Sequence, residues 1–331
     1  MSYLSRCVSR LLPLAFITLF AADAAGAEPP RVVVSVPPVH SLVSAVAGDR
    51  ADLHLLVRGQ ASPHDHQLRP SDAQALEKAQ LVVWVGPMLE QFLERPLDTL
   101  AGKARVLTLS SDDSLHLYTY GEEAEHEKHE GEEHKGEKHD DDEKHEGEKH
   151  GHDDHHDHHE GGIDPHLWLS PENAAAIVRR SAELLSELDP AGAADYARNR
   201  DETLARIEAL DAELKRRLSP VRKTPFVVFH DAFGYLERHY GLAIAGTITV
   251  DPSRQPGARR LREIRQKAQA LEARCIFGEP QFRAAVVEAV AEAADLRMGR
   301  LDPLGLDAGP EGWFALMRGN AEALATCLSG S

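Results

Sequence analysis

A repeated alternation constrains this chain more than any other feature. Short β-rich runs at 32–36, 52–57, 81–85 and 105–109 are separated by helix-like segments, and the second half repeats the scheme at 226–229, 243–250, 275–277 and 298–301. Helical stretches at 257–272 and 282–293 fall between the later runs. Strands that alternate with helices argue for parallel βαβ units. The predicted fold class is therefore α/β, with two similar βα-repeat lobes, each carrying a four-stranded, mostly parallel sheet.

Two long helical patterns lie between the blocks. Ser170-Pro171-Glu172 reads as an N-cap, a proline at the first helical position and an early acid, and Val178, Ala182, Leu185 and Leu188 follow on one face. Asp189-Pro190 then breaks the chain. The next helix, ending near Leu218, has a narrow apolar stripe of Ile207, Leu210, Leu214 and Leu218, as expected where a helix lies across two bodies. These marks place an N-terminal lobe at 28–188, a connector helix at 189–218 and a C-terminal lobe at 219–331. A helix of that length restricts hinge motion more than a loop does.

The first residues have a different character. Arg6 and Arg10 precede an apolar run from 11 to 22, and Ala25-Gly26-Ala27 stands ahead of Glu28. This is the layout of a secretory signal peptide. An apolar run of that length is short of the roughly 20 residues a membrane span needs. Residues 1–27 are expected to be a cleaved leader and the product a soluble periplasmic protein. Cleavage near Ala27 removes Cys7 and leaves Cys275 and Cys327, an even count that favours a bridge in an oxidising compartment.

Net charge is −17, and most of it has one address: residues 121–160 hold 18 acids against five lysines, a local charge of −13. The remainder shows no clustered Lys/Arg surface, which sets nucleic-acid binding aside. The segment has almost nothing apolar to bury and reads as a disordered surface loop interrupting the N-terminal lobe. It also carries 11 of the 19 histidines: His126, His129, His134, His139, His145, His150, His152, His155, His156, His158 and His159. Imidazoles interleaved with carboxylates suit zinc and similar divalent ions, so the loop is an auxiliary metal-binding candidate, with a purely solubilising polyelectrolyte as the alternative.

Position sorts the remaining histidines. Ligands of open α/β sheets bind outside the carboxyl ends of the strands. His230 directly follows the run 226–229, His64 lies in the loop 59–70 after the run 52–57, and His166 lies in Asp164-Pro165-His166-Leu167-Trp168 before the Ser170 cap. The fold permits these three to converge. Their spacing is no local metal signature.

The words around these histidines resemble a known family. Ala61-Ser62-Pro63-His64-Asp65-His66, Asp164-Pro165-His166-Leu167-Trp168, Val228-Phe229-His230-Asp231-Ala232-Phe233-Gly234-Tyr235, Gly278-Glu279-Pro280-Gln281-Phe282 and Leu301-Asp302-Pro303-Leu304-Gly305 are similar, in order, to motifs of the metal-binding proteins of cluster-9 ABC importers. A third histidine ligand and a long His/acid loop resemble the zinc-specific branch; manganese and iron members usually carry a carboxylate where His230 stands. The resemblance implies His64, His166 and His230 as zinc ligands, Asp302 or a water as the fourth, and a disulfide between Cys275 and Cys327.

The implied function is capture of Zn²⁺ in the periplasm and delivery to an inner-membrane ABC permease with its cytoplasmic ATPase, by a monomer that is no enzyme. Three neutral imidazoles favour zinc over magnesium or calcium, which demand oxygen-rich shells, although copper and nickel follow from the same donors in vitro. The competing readings are a manganese- or iron-type importer component, a zinc-storing surface protein and, furthest off, a zinc hydrolase. The last would need a general base beside the metal, and the chain has no HExxH helix.

Overall fold

The computed structural model describes residues 28–120, 162–249, 252 and 256–330. The leader and the His/acid loop lie outside these residues. Within them the alternation read from sequence is present, with strand limits shifted by one or two positions.

The first block runs β1 (Arg31–Val34), α1 (Pro37–Ala47), β2 (Asp52–Leu55), α2 (Pro70–Lys78), β3 (Leu81–Trp84), α3 (Glu94–Leu100) and β4 (Arg105–Thr108). Then come α4 (Pro171–Leu188) and α5 (Ala193–Leu218). The second block is β5 (Phe226–His230), α6 (Gly234–Tyr240), β6 (Ile244–Thr249), α7 (Ala258–Ala270), β7 (Cys275–Gly278), α8 (Ala285–Ala294), β8 (Arg297–Arg300) and α9 (Gly312–Ser329). The sheets have the orders β2-β1-β3-β4 and β6-β5-β7-β8, parallel throughout. In both, the first strand of the block lies between the second and third. The strand order therefore reverses there, leaving a crevice at the carboxyl ends of β1 and β3 and of β5 and β7.

Alternate residues of each sheet serve different cores, as the two-residue strand period requires. Val33, Val82 and Trp84 face the α2 and α3 side, and Val227, Phe229 and Ile276 face α7 and α8. Val32, Val34, Val83, Phe226, Val228 and Phe277 turn inward to one continuous core shared with α1, α4, α5 and α9. The stripe Ile207, Leu210, Leu214 and Leu218 of α5 is buried in that core. At 26 residues, α5 spans about 39 Å.

Polar ties complete the join between the two sheets. The Trp168 indole donates to the Pro303 carbonyl at 2.7 Å, and the Trp313 indole donates to the Trp168 carbonyl at 2.8 Å. The Ser41 hydroxyl accepts from the Trp313 amide at 2.8 Å. Both tryptophans are fully buried, so separating the lobes would strip these hydrogen bonds of their partners in an apolar setting. Cys275 of β7 and Cys327 of α9 are disulfide-bonded. Ser170 caps α4 as its sequence indicates, with its hydroxyl accepting from the Asn173 amide at 3.3 Å.

Candidate metal site

His230 is the last residue of β5, and Glu279 is the first residue after β7. Because β5 and β7 are paired neighbours at the strand-order reversal, the two side chains meet. Nδ1 of His230 lies 2.8 and 2.9 Å from the two Glu279 carboxylate oxygens. His166 arrives from the other side, in the turn that leads into α4. Its Nδ1 lies 2.8 Å from Asp164 Oδ1, which also accepts from the His166 amide at 3.0 Å. Tyr235 of α6 fixes this turn by donating to the Asp164 carbonyl at 3.2 Å and accepting from the Tyr118 amide at 3.1 Å.

A carboxylate accepts only, so each Nδ1 carries the hydrogen and each Nε2 presents its lone pair. The two Nε2 atoms lie 3.3 Å apart. His64 enters from the loop after β2, with ring centroids 5.8 Å from His166 and 5.7 Å from His230. One ligand nitrogen from each of the three histidines lies within 4.8 Å of the others. Among the described residues this is the sole such group of three or more His, Cys, Asp or Glu side chains.

The donor set suits a borderline dication. Two nitrogens bound to zinc at about 2.0–2.1 Å on a tetrahedron are about 3.3–3.4 Å apart, the separation His166 and His230 already have. The His64 nitrogen is within 4.8 Å of the other two, so closing it onto the same ion takes at most a shift of about 1.5 Å. The space between them measures about 10 Å³ and is lined by the three histidines with Pro63, Glu279, Gln281, Phe282, Pro303 and Leu304. That is about one water-sized sphere, large enough for an ion and too small for an organic substrate. A wider groove of about 590 Å³ on the far side of Asp164 holds mixed charges and none of the three histidines.

Burial shapes the titration of the site. It holds His166 well below the ordinary histidine value, with His230 adding to the effect. For His230 burial acts in the same direction, but Glu279, with Asp231 and Asp164, outweighs it and the net shift is upward. Burial also pushes Asp164 up to about 7, against the lowering effect of the His166 amide. An arriving dication therefore competes with protons for these groups.

Three of the four cleft residues picked out in sequence come together. Asp302 does not join them: its Oδ1 accepts from Gln281 Nε2 at 2.8 Å and from the Leu304 and Gly305 amides at 3.0 Å each. The loop histidines from His126 to His159 lie outside the described residues. Sequence reasoning assigned no role to Asp164 or Glu279. Asp164 carried a signal, lying two residues before His166, but Glu279 is 49 positions from His230 and only the pairing of β5 with β7 brings it near.

A family model described as zinc-uptake complex component A, periplasmic (ZnuA), matches residues 32–327. The high-affinity zinc uptake system protein ZnuA of Brucella suis biovar 1 (strain 1330) is 40% identical over 328 residues, covering 97% of this chain and 98% of that protein. Its counterpart from Paracoccus denitrificans (strain Pd 1222) is 44% identical over 311 residues, covering 93% of this chain and 94% of that protein. A crystal structure of ZnuA superposes with a TM-score of 0.71 at 24% identity, over 90% of this chain and 99% of that one, a likeness of fold.

Proposed function

The chain belongs to the periplasmic zinc-uptake component family, and from that premise we propose that it captures Zn²⁺ between its two lobes and delivers the ion to the permease of an ABC-type importer. One observation carries the reading: His64, His166 and His230 bring three imidazole nitrogens within 4.8 Å of one another around a common small space. His64 and His166 belong to the N-terminal lobe, His230 to the C-terminal lobe, with boundaries at 28–188, 189–218 and 219–331. Binding thus joins the lobes, and release at the permease requires their partial separation.

The finer assignments follow the same logic. Residues 1–27 act as the export leader, cleaved near Ala27. No helix among the described residues is long and apolar enough to cross a membrane. The site binds and does not catalyse, in keeping with a family of uptake components. Zinc over manganese follows from an all-imidazole set backed by carboxylates.

Titration of the metal-free mature chain with zinc against a competing chelator tests this. One tight ion per chain is expected, lost in His166→Ala and His230→Ala along with growth of the host under zinc limitation. Retention of the tight ion by both variants would show that the site lies elsewhere.

A further inference from the structure

Gln281 lines the same small space as the three histidines. Its Oε1 is buried and accepts no hydrogen bond among the described residues. A buried amide oxygen left in this state is costly and calls for a partner that the described residues do not supply. The other end of the amide is committed, since Nε2 donates to Asp302 Oδ1 at 2.8 Å. A carboxylate cannot donate, so the NH₂ must face Asp302 and the oxygen must face away from it.

Resting on the zinc-site reading above, we propose that Gln281 Oε1 is the fourth donor to the ion and that Asp302 positions it without binding metal itself. Three observations separate this from the sequence-based expectation of Asp302. Asp302 Oδ1 already accepts from three N–H groups. Asp302 is not in the ligand cluster. Gln281, unlike Asp302, lines the small space that the three histidines share. A neutral amide oxygen completes the shell with a weaker donor than a carboxylate, which favours release. Gln281 and Phe282 also line the outer pocket with Ser62, Asp65 and His66, so the donor is at the mouth of the site.

Four single variants and one double, in the full mature chain, test the proposal by zinc competition titration and the visible absorption of the Co²⁺-loaded form. Gln281→Leu should lower zinc affinity about 10–100-fold and change the Co²⁺ bands, while the metal-free protein melts no lower than the parent. Gln281→Glu should bind more tightly and shift the bands again. Asp302→Ala should lose less affinity than Gln281→Leu, and the double variant no more than Gln281→Leu alone. Parental affinity and spectrum in Gln281→Leu, with binding lost in His166→Ala, would overturn the Gln281 assignment and leave the site intact. Tight binding in His166→Ala would overturn the site reading itself. A larger, additive loss in Asp302→Ala would make Asp302 the ligand.

Discussion

Nε2 of His166 and Nε2 of His230 face one another at 3.3 Å, and each ring has its opposite nitrogen on a buried carboxylate, Asp164 for one and Glu279 for the other. Two lone pairs held this close repel unless a cation or a proton lies between them. The carboxylates fix the tautomers and supply the negative charge that offsets a dication, so the site is preorganised from one lobe by a two-residue local motif and from the other by strand pairing. Little ordering is left for the ion to drive.

Proton competition sets the first prediction. The folded-state value of His230 is raised, so its proton is held more firmly than by a free imidazole and zinc must displace it. Zinc affinity should fall as pH drops from 8 through the histidine range, with protons released on binding near pH 7. Calorimetry in buffers of different ionisation enthalpy checks this; a binding enthalpy independent of buffer, with affinity level from pH 8 to 5.5, would count against histidine ligation.

The carboxylate behind His230 is open to direct test. Glu279→Gln keeps an acceptor for His230 Nδ1 but removes the charge, and zinc affinity should fall about tenfold; Glu279→Ala, which also frees the ring, should lose up to about 100-fold. Equal affinity in all three proteins would mean that Glu279 serves folding alone.

The α/β class and its eight strands were legible because they rest on local pattern: apolar runs such as Leu81-Val82-Val83-Trp84, and a capped start such as Ser170-Pro171-Glu172. The three histidines were legible through the words around them. What stayed hidden depends on register and on side-chain direction. Glu279 reaches His230 only because β5 and β7 are neighbours, and Gln281 rather than Asp302 lines the ion space because Asp302 is turned onto the Gln281 amide and its own loop. A single sequence records neither the strand order nor which member of a hydrogen-bonded pair faces inward.

Removal of the disulfide should act on stability and not on the ion. Cys275 and Cys327 are 52 positions apart, for which loop-closure entropy gives about 4 kcal/mol. Cys275→Ser with Cys327→Ser should lower the melting temperature by on the order of 10 °C, with zinc stoichiometry unchanged. A parental melting curve would show that packing of α9 on α1 and α5 already supplies the constraint.

Glu90 gives a prediction on pH and stability. It is fully buried, accepts from the Val85 and Gly86 amides, and burial raises its carboxyl to about 7. A raised folded-state value means the protonated form is favoured by folding, a contribution present below about 4.5 and lost as pH rises through about 7. The parent should therefore lose stability from about pH 4.5 to 7.5 by about 3 kcal/mol from this group, and Glu90→Gln should flatten that slope. An unchanged slope in denaturant titrations of the metal-free proteins would remove Glu90 as its source.

The last prediction separates the cleft from the histidine-rich segment. The residues on either side of the segment form an antiparallel bridge between Thr119 and Ile163, closed by Tyr120 N donating to the Gly162 carbonyl at 2.8 Å and Asp164 N donating to the Tyr118 carbonyl at 2.8 Å. The bridge lies directly before Asp164, which orients His166, and it is formed by residues outside the segment. Replacing 121–160 with an Asn-Gly turn should therefore preserve the bridge and the one tight ion while lowering the total number of ions bound. By composition the segment has only Ala124 as an apolar side chain with which to pack, so each ion it takes carries an ordering cost of roughly 1–2 kcal/mol per fixed residue and should be held more weakly. Conversely, His166→Ala in the full chain should lose the tight ion and keep the weak ones. Zinc titrations of the two variants decide the matter: if the turn replacement loses the tight phase and His166→Ala retains it, the high-affinity site belongs to the segment and not to the cleft.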